Sequence, residues 1–472
     1  MIVSRLMHIF VVLLVFSVAC RAETKEVYLS QSGSGLQDGS SCANAQPVMW
    51  LNQESTTLVG GDKIHICDVI TSMLEPKGDG SPDDPIRIIF EKNAKISAPT
   101  FWIEARHFGA GINLEGRHFY IVDGGENGTI EATSNGTPGS YQHSEDISGI
   151  HTDRAGDIVV RNLTIRGMYR RVPNSQDANK YGCGTWGSSM TGTNIFENNV
   201  IEDANCGVQW NTDATLGGTL IIRNNSMSRV SWGFASGGGG DVRLQFYGNN
   251  LSDGYVWSGH ISTGDGHFHN DPFHIWTTSS NTRFVELKIY NNRITGDWGD
   301  NTTGAIYLEC RGPENDCPAF IFNNIVSTRS GFTNGAIALK FAEHVRIFNN
   351  VFACPGNAIH LEGSTFGDRS TSSRYIDVEN NLFDGVGVPL AENDGSSYGM
   401  VDYNAYWHTV PGNDPHKITG DPKINQEFVP RPGSSLIGHG VNLSAYFTAD
   451  FTGAPRPQDG PWTIGAFEAP NK

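Results

Sequence analysis

Positive charge is scarce in this chain. Its 472 residues hold 33 Lys and Arg against 50 Asp and Glu, a formal net charge of −17. Phosphate backbones are bound by basic patches, so nucleic acid is excluded as a partner. A polyanion would need a local cationic site. Charge of either sign is thin, at 18% of residues. Long apolar runs are lacking too. Beyond Ile9 to Val18 no stretch approaches the ~20 apolar residues of a spanning helix, so no membrane partner is expected. That one short run reads as a secretory leader over residues 1–22. Arg5 supplies the positive end, and Ala19-Cys20-Arg21-Ala22 a small-residue cleavage site. Cys20 would suit a lipoprotein, but Ser17-Val18-Ala19 lacks the leucine expected there. Soluble export, extracellular or periplasmic, is the expectation.

Cysteine is sparse as well, eight in all and seven after the leader. In an oxidising compartment Cys42 with Cys67 and Cys310 with Cys317 read as disulfides, and Cys183 with Cys206 as a third. Cys354 is then left over. Sequons beginning at Asn127, Asn135, Asn162, Asn224, Asn250, Asn301 and Asn442 mark surface turns.

What the chain has in abundance is glycine, 56 residues, together with Asn, Ser and Thr. These residues suit many short strands joined by tight turns. An Asn-Asn pair after a short apolar-alternating run recurs seven times: FENNV, IRNNS, FYGNN, IYNNR, IFNNI, IFNNV and VENNL. The second asparagines are Asn199, Asn225, Asn250, Asn292, Asn324, Asn350 and Asn381, spaced by 26, 25, 42, 32, 26 and 31 residues. A coil of ~25 residues with insertions fits parallel β-helix rungs rather than helical repeats or propeller blades. Asn tolerates the left-handed geometry of sharp corners, and stacked Asn side chains can bond along a ladder.

The predicted fold is therefore all-β, a single-stranded right-handed parallel β-helix. Residues 23–105 form an irregular N-terminal cap and first rungs, residues 106–405 the β-helix, and residues 406–472 a Pro/Gly-rich C-terminal capping segment. The ending DFTGAPRPQDGPWTIGAFE resembles the closing segment of many bacterial right-handed β-helix repeat proteins of the pectin-lyase-like superfamily. In organisation the resemblance spans roughly residues 25–470, and it implies a fold rather than a reaction.

A second recurring strand aligns the rungs: SGIHTD, CGVQWN, WGFASG, DPFHIW, GAIYLE, GAIALK and NAIHLE. Alternation places the third and fifth positions inside and the fourth and sixth outside. Two exposed columns follow. One is His151, Gln209, Ala235, His274, Tyr307, Ala338 and His360. The other is Asp153, Asn211, Gly237, Trp276, Glu309, Lys340 and Glu362. Histidines, aromatics, amides and carboxylates on one face suit a sugar-binding groove, with rings stacking on sugars and polar groups binding hydroxyls. The alternative is a decorated but inert surface.

The longest insertion ends in Gly264-Asp-Gly-His-Phe-His-Asn-Asp-Pro-Phe-His-Ile-Trp276. His267, His269, Asp271 and His274 are of metal-ligand type. Their spacing matches no zinc signature, and a hydrogen-bonded His/Asp cluster accounts for them equally well, so no metal is assigned. No cofactor is expected; calcium bound by Asp and Glu at the insertions is left open.

Abstraction of a proton alpha to a carboxylate needs a base, an acid and a charge neutraliser. His274 is the candidate base, Tyr307 the acid, and Arg311 or Lys340 the neutraliser. This set fits a lyase or epimerase acting on a uronate-containing polysaccharide, activities that the superfamily resemblance also implies. Glycoside hydrolysis is the rival, with Glu309 and Glu362, or Asp271 and Glu309, as paired carboxyls. Asn211-Thr212-Asp213 resembles the polygalacturonase signature, without its paired aspartates or its downstream Arg-Ile-Lys. Asp-Pro-Phe-His at 271–274 resembles the Asp-Pro-His-Asp of mannuronan epimerases, with the His shifted and the second Asp absent. A third reading is a non-catalytic lectin or adhesin. In each case the partner is a polysaccharide and the protein acts as a monomer.

Overall fold

The computed structural model describes residues 24–134, 146–169, 182–254, 269–277, 282–299, 302–310, 317–366 and 369–469. The expected leader, Arg311 and His267 lie outside these residues. The chain winds into the right-handed parallel β-helix that the repeats imply. Each rung contributes to three ladders. The first runs from Glu26–Ser30 to Tyr398–Asp402, the second from Val69–Ile70 to Ala405–Trp407, and the third from Phe108–Asn113 to Val388–Glu392. In Val200–Thr212 and Ser226–Ser236 the second and third ladders run as one long strand. Parallel stacking already begins with Glu26–Ser30 on Lys63–Ile66. A short helix, Val48–Asn52, buries Val48 and Leu51 at that end. Among the described residues no helix is long and apolar enough to cross a membrane.

The two asparagines of each pair do different jobs. The first adopts positive φ at the corner, as in Asn198 (55°), Asn224 (56°), Asn291 (55°), Asn323 (53°), Asn349 (54°) and Asn380 (59°). The second is buried and points along the solenoid. Asn292 donates its amide nitrogen and its backbone N–H to Asn324 Oδ1, both at 3.0 Å, and its amide also to Phe246 O at 2.9 Å. One side chain thus satisfies backbone groups of adjacent rungs that would otherwise be buried without partners. The ladder runs Asn199, Asn225, Asn249, Asn292, Asn324, Asn350, Asn381 and Asn404.

Two details differ from the sequence reading. Asn249, not Asn250, takes the ladder seat, because Gly248 (φ 65°) occupies the corner. Asn404 adds a member that has no Asn before it, with Tyr403 (φ 56°) at the corner instead. Asp414 closes the series by accepting from the Asn404 amide and backbone N–H at 3.0 and 2.9 Å.

A second stack is made of glycine. A Cβ on Gly184 would lie 2.5 Å from Gly207 O, and one on Gly207 2.5 Å from Gly233 O. Only glycine permits this approach. Beside these glycines Cys183, Cys206 and Trp232 pack on the same outer side as Ala235, Trp186 and Trp276. The expected disulfides Cys42–Cys67, Cys183–Cys206 and Cys310–Cys317 all form, and Cys354 is free and buried.

Beyond Trp407 the described chain forms no further strand and runs back along the asparagine corners. Leu436, Ile464, Ala466 and Phe467 pack on Ile325, Val351, Leu382 and Ala405. The corner asparagines hold this return: Asn349 donates to Thr463 O and Gly465 O, each at 3.0 Å, and Asn323 donates to Ala449 O at 2.9 Å.

Candidate active site

The third ladder carries the face singled out by the repeats. Its pairings run His151–Trp186–Gln209–Ala235–His274–Tyr307–Ala338–His360. The alignment from sequence omits one rung, that of Trp186. The parallel column contains Trp276, Glu309, Lys340 and Glu362 as successive partners. These columns are not an open strand face. His274 is 6% exposed, Tyr307 5% and Glu309 9%, while Ala235 and Ala338 are fully buried. Large neighbours account for part of this cover: Trp232 lies 6.2 Å from Trp276 and 6.5 Å from His274 between ring centroids.

Asp271 sits at the foot of the column and is fully buried. Its Oδ1 accepts the backbone N–H groups of Thr303 and Gly304, each at 3.1 Å, and the Thr303 hydroxyl at 2.6 Å. Its Oδ2 faces Nδ1 of His269 at 2.5 Å and Nδ1 of His274 at 3.2 Å. Burial opposes ionisation of Asp271. The His269 charge and the contacts with both imidazoles outweigh it and hold the carboxyl well below the usual carboxylate range. Both oxygens of Asp271 are thus engaged by neighbouring groups.

His274 lies between two carboxylates, with Nε2 3.9 Å from Glu309 Oε2. Both of its nitrogens are off the line of a well-formed hydrogen bond, so the interaction is charge pairing. Burial opposes the charged form, and the facing carboxylates more than offset it, so the imidazole pKa is raised. The two carboxylates that raise this pKa are Asp271 and Glu309, so the His274 expected as a base is held between two acids. The His274 ring stacks on Tyr307, 4.7 Å between centroids and tilted by 23°.

Tyr307 donates to Glu309 Oε1 at 3.0 Å, and Lys340 Nζ reaches the same oxygen at 3.2 Å. Burial, and then the charges of Glu309 and Glu362, push the Tyr307 phenol far up. In this setting it is a neutral donor held to Glu309. Glu362 stands one rung beyond Lys340. Burial raises its pKa, against the opposing pull of His360 and Lys340. His360 Nδ1 lies 3.7 Å from Glu362 Oε1 and 3.0 Å from Asn334 O.

The remaining residues are spread along the third ladder. Gln209 lies beside the Cys183–Cys206 bridge, its Oε1 3.8 Å from Cys206 Sγ. Asn211 Oδ1 accepts the Gly237 N–H at 2.6 Å. Asp153 is engaged by Arg154 at 2.6 Å and by Ser188. His151 lies far from His274, at the other end of the column. Burial lowers its pKa to about 4.

His269, Asp271 and His274 bring three donor atoms within 4.8 Å of one another. Two imidazoles and one carboxylate suit a transition metal better than calcium, which takes oxygen ligands. Trp186 and Trp232 are the site residues that the strand alignment missed. The Cys-Gly steps at 183–184 and 206–207, stacked one on the other, are the signal that would have revealed the Trp186 rung.

No family model matches the chain, and no curated protein matches it. Solved structures do. A family GH136 lacto-N-biosidase from Eubacterium ramulus aligns over 82% of this chain and 68% of its own, with a TM-score of 0.53 and 12% identity. A complex of XylC with xylose aligns over 95% of this chain and 99% of its own, with a TM-score of 0.50 and 9% identity. A PL6 alginate lyase in complex with a trisaccharide reaches 0.46 at 13% identity. At these identities the shared property is the fold.

Proposed function

We propose that this protein is a carbohydrate-active enzyme that hydrolyses a glycosidic bond of a neutral polysaccharide lying along the third ladder. The observation that carries the reading is a pair of carboxyl groups in one column with opposite environments. Burial favours the protonated form of Glu362, whereas Tyr307 and Lys340 bind the anionic form of Glu309. Groups whose environments separate them in this way divide naturally into acid and base. They stand two rungs apart, about 9.6 Å along the column at ~4.8 Å per rung. That is near the ~6.5–9.5 Å of inverting enzymes and well beyond the ~5–5.5 Å of retaining ones.

In this mechanism Glu362 gives its proton to the departing glycosidic oxygen. Glu309 takes a proton from the water that attacks the anomeric carbon from the opposite face. Tyr307 and Lys340 hold Glu309 Oε1 and so direct Oε2 toward His274. Asp271 holds His274 in place, and that imidazole faces Glu309 Oε2 at 3.9 Å.

Charge also favours a neutral substrate over a polyuronate. Among the described residues of this face, Lys340 pairs with Glu309, His274 with Asp271 and Glu309, and Arg154 with Asp153 and Glu115. Elimination or epimerisation on a uronate is the second reading, favoured by the close His274–Tyr307 stack, which sets two proton carriers side by side. The test is purified protein on a panel of neutral and uronate polysaccharides, following reducing ends and the absorbance of unsaturated sugars together. Reducing ends alone, released from neutral polymers, are the expected result. A rise in absorbance would replace hydrolysis with elimination.

A further inference from the structure

At the opposite end of the groove from Glu362 lies a cavity of about 340 Å³, lined by Phe108, Ser148, His151, Cys183, Trp186 and Gln209 among others. It is built where the third ladder ends. The outer edge of Phe108–Asn113 is taken by Trp102–Ile103, which pairs with it in the antiparallel sense, and by Leu74, which bridges to Ile112. Three aromatic planes follow one another along the cavity. Phe108 lies 4.4 Å from His151, and His151 stacks on Trp186 at 5.1 Å with an 18° tilt. Burial lowers the His151 pKa to about 4, so this ring, packed between Phe108 and Trp186, adds apolar wall rather than charge to the cavity. Ser148, Gln209 and Asp146 place polar groups at the rim.

We propose that this cavity is a distal subsite that receives the terminal pyranose of the polysaccharide and sets the length of the released product. The proposal rests on the hydrolytic reading for its second half only. Sugar rings offer apolar faces to aromatic planes and hydroxyls to a polar rim, and the cavity has both, at a size suited to a small ligand. It also lies in register with the reacting pair. From the Trp186 rung the pairings step through Gln209, Ala235, His274 and Tyr307 to Ala338, whose rung carries Lys340 between Glu309 and Glu362. One rung advances ~4.8 Å, close to the advance of one sugar along an extended β-linked chain. A chain end seated in this cavity against Trp186 therefore places the cleaved bond about five to six sugars away.

The test has two readouts on full-length protein. The first is saturation-transfer NMR with methyl β-D-glucopyranoside, methyl β-D-galactopyranoside and N-acetylglucosamine as probes, on wild type, Glu309→Gln, Trp186→Ala and Trp186→Phe. At least one probe is expected to bind wild type and Glu309→Gln alike, to bind Trp186→Ala about tenfold more weakly, and to recover in part with Trp186→Phe. Circular dichroism melts identify any variant that fails to fold, and Trp186→Phe then decides. The second readout is product length on whichever polymer the protein cleaves. Wild type is expected to release mainly oligomers of about five to six sugars, and Trp186→Ala a broad distribution. Binding by none of the probes, or binding unchanged in Trp186→Ala, overturns the subsite even if hydrolysis stands. Trp186-dependent binding that persists without any cleavage upholds the subsite while hydrolysis falls. Cleavage whose product lengths ignore Trp186 overturns the length-setting role.

Discussion

At the scale of the residue, the environments of Glu309 and Glu362 determine what the face can do. In the hydrolysis proposed above, Glu362→Gln removes the proton donor, and Glu309→Gln the group that accepts from water. Each is expected to lower kcat by about 10²–10⁴ while melting temperatures stay within a few degrees. Because burial raises the Glu362 pKa, activity is expected to persist above the ordinary carboxyl range and to fall as pH rises through that raised value. The basic limb should disappear in Glu362→Gln, whose residual rate no longer depends on this group.

His151 supplies a stability effect of opposite sign. Its pKa falls from the ordinary 6.5 to about 4 in the fold, so the unfolded chain binds the extra proton in between. The stability contributed by neutral burial is full above 6.5 and is lost as pH falls toward 4, by up to about 3 kcal/mol. Melting curves of wild type and His151→Phe should diverge in acid and run parallel above pH 7.

At the scale of the element, the corner ladders hold the rungs in register. Asn292 is fully buried and bonds to Asn324, Asn249 and Phe246. Asn292→Ala leaves several buried groups without partners, at about 1–3 kcal/mol each, and should lower the melting temperature measurably. Asn291→Gly should be tolerated, because that corner already has positive φ. The ladder was legible in the sequence because its chemistry sits in a dipeptide. Its seat at Asn249 was not, since FYGNN offers two asparagines and only the backbone shows that Gly248 takes the corner. The outward columns were legible through strand alternation. Their burial was not, because Trp186 lies on the rung the alignment omits and Trp232, at the first position of its strand, packs over Trp276 and His274. The upward shift of the His274 pKa was equally hidden, since it depends on Asp271 and Glu309, which alternation cannot place within reach of one ring.

At the scale of the molecule, the C-terminal return completes the outer surface. Arg456 is almost wholly buried. It donates to Asn323 Oδ1, to the carbonyls of Thr463, Gly465 and Ala466, and to Glu468. Arg456→Ala would leave Glu468 and these carbonyls unmatched, a loss of about 3–5 kcal/mol for a broken buried pair, seen as early exposure of the apolar corner to a hydrophobic dye. On the third ladder Glu309 and Glu362 stand on either side of the Lys340 rung. The most direct measurement is a proton NMR time course of a cleaved neutral polysaccharide, recorded before mutarotation. The first product is expected to carry the anomeric configuration opposite to that of the substrate, with no unsaturated-sugar resonance. A retained anomer, or the vinylic signal of a 4,5-unsaturated residue, would contradict the assignment of Glu362 and Glu309 as an inverting acid and base.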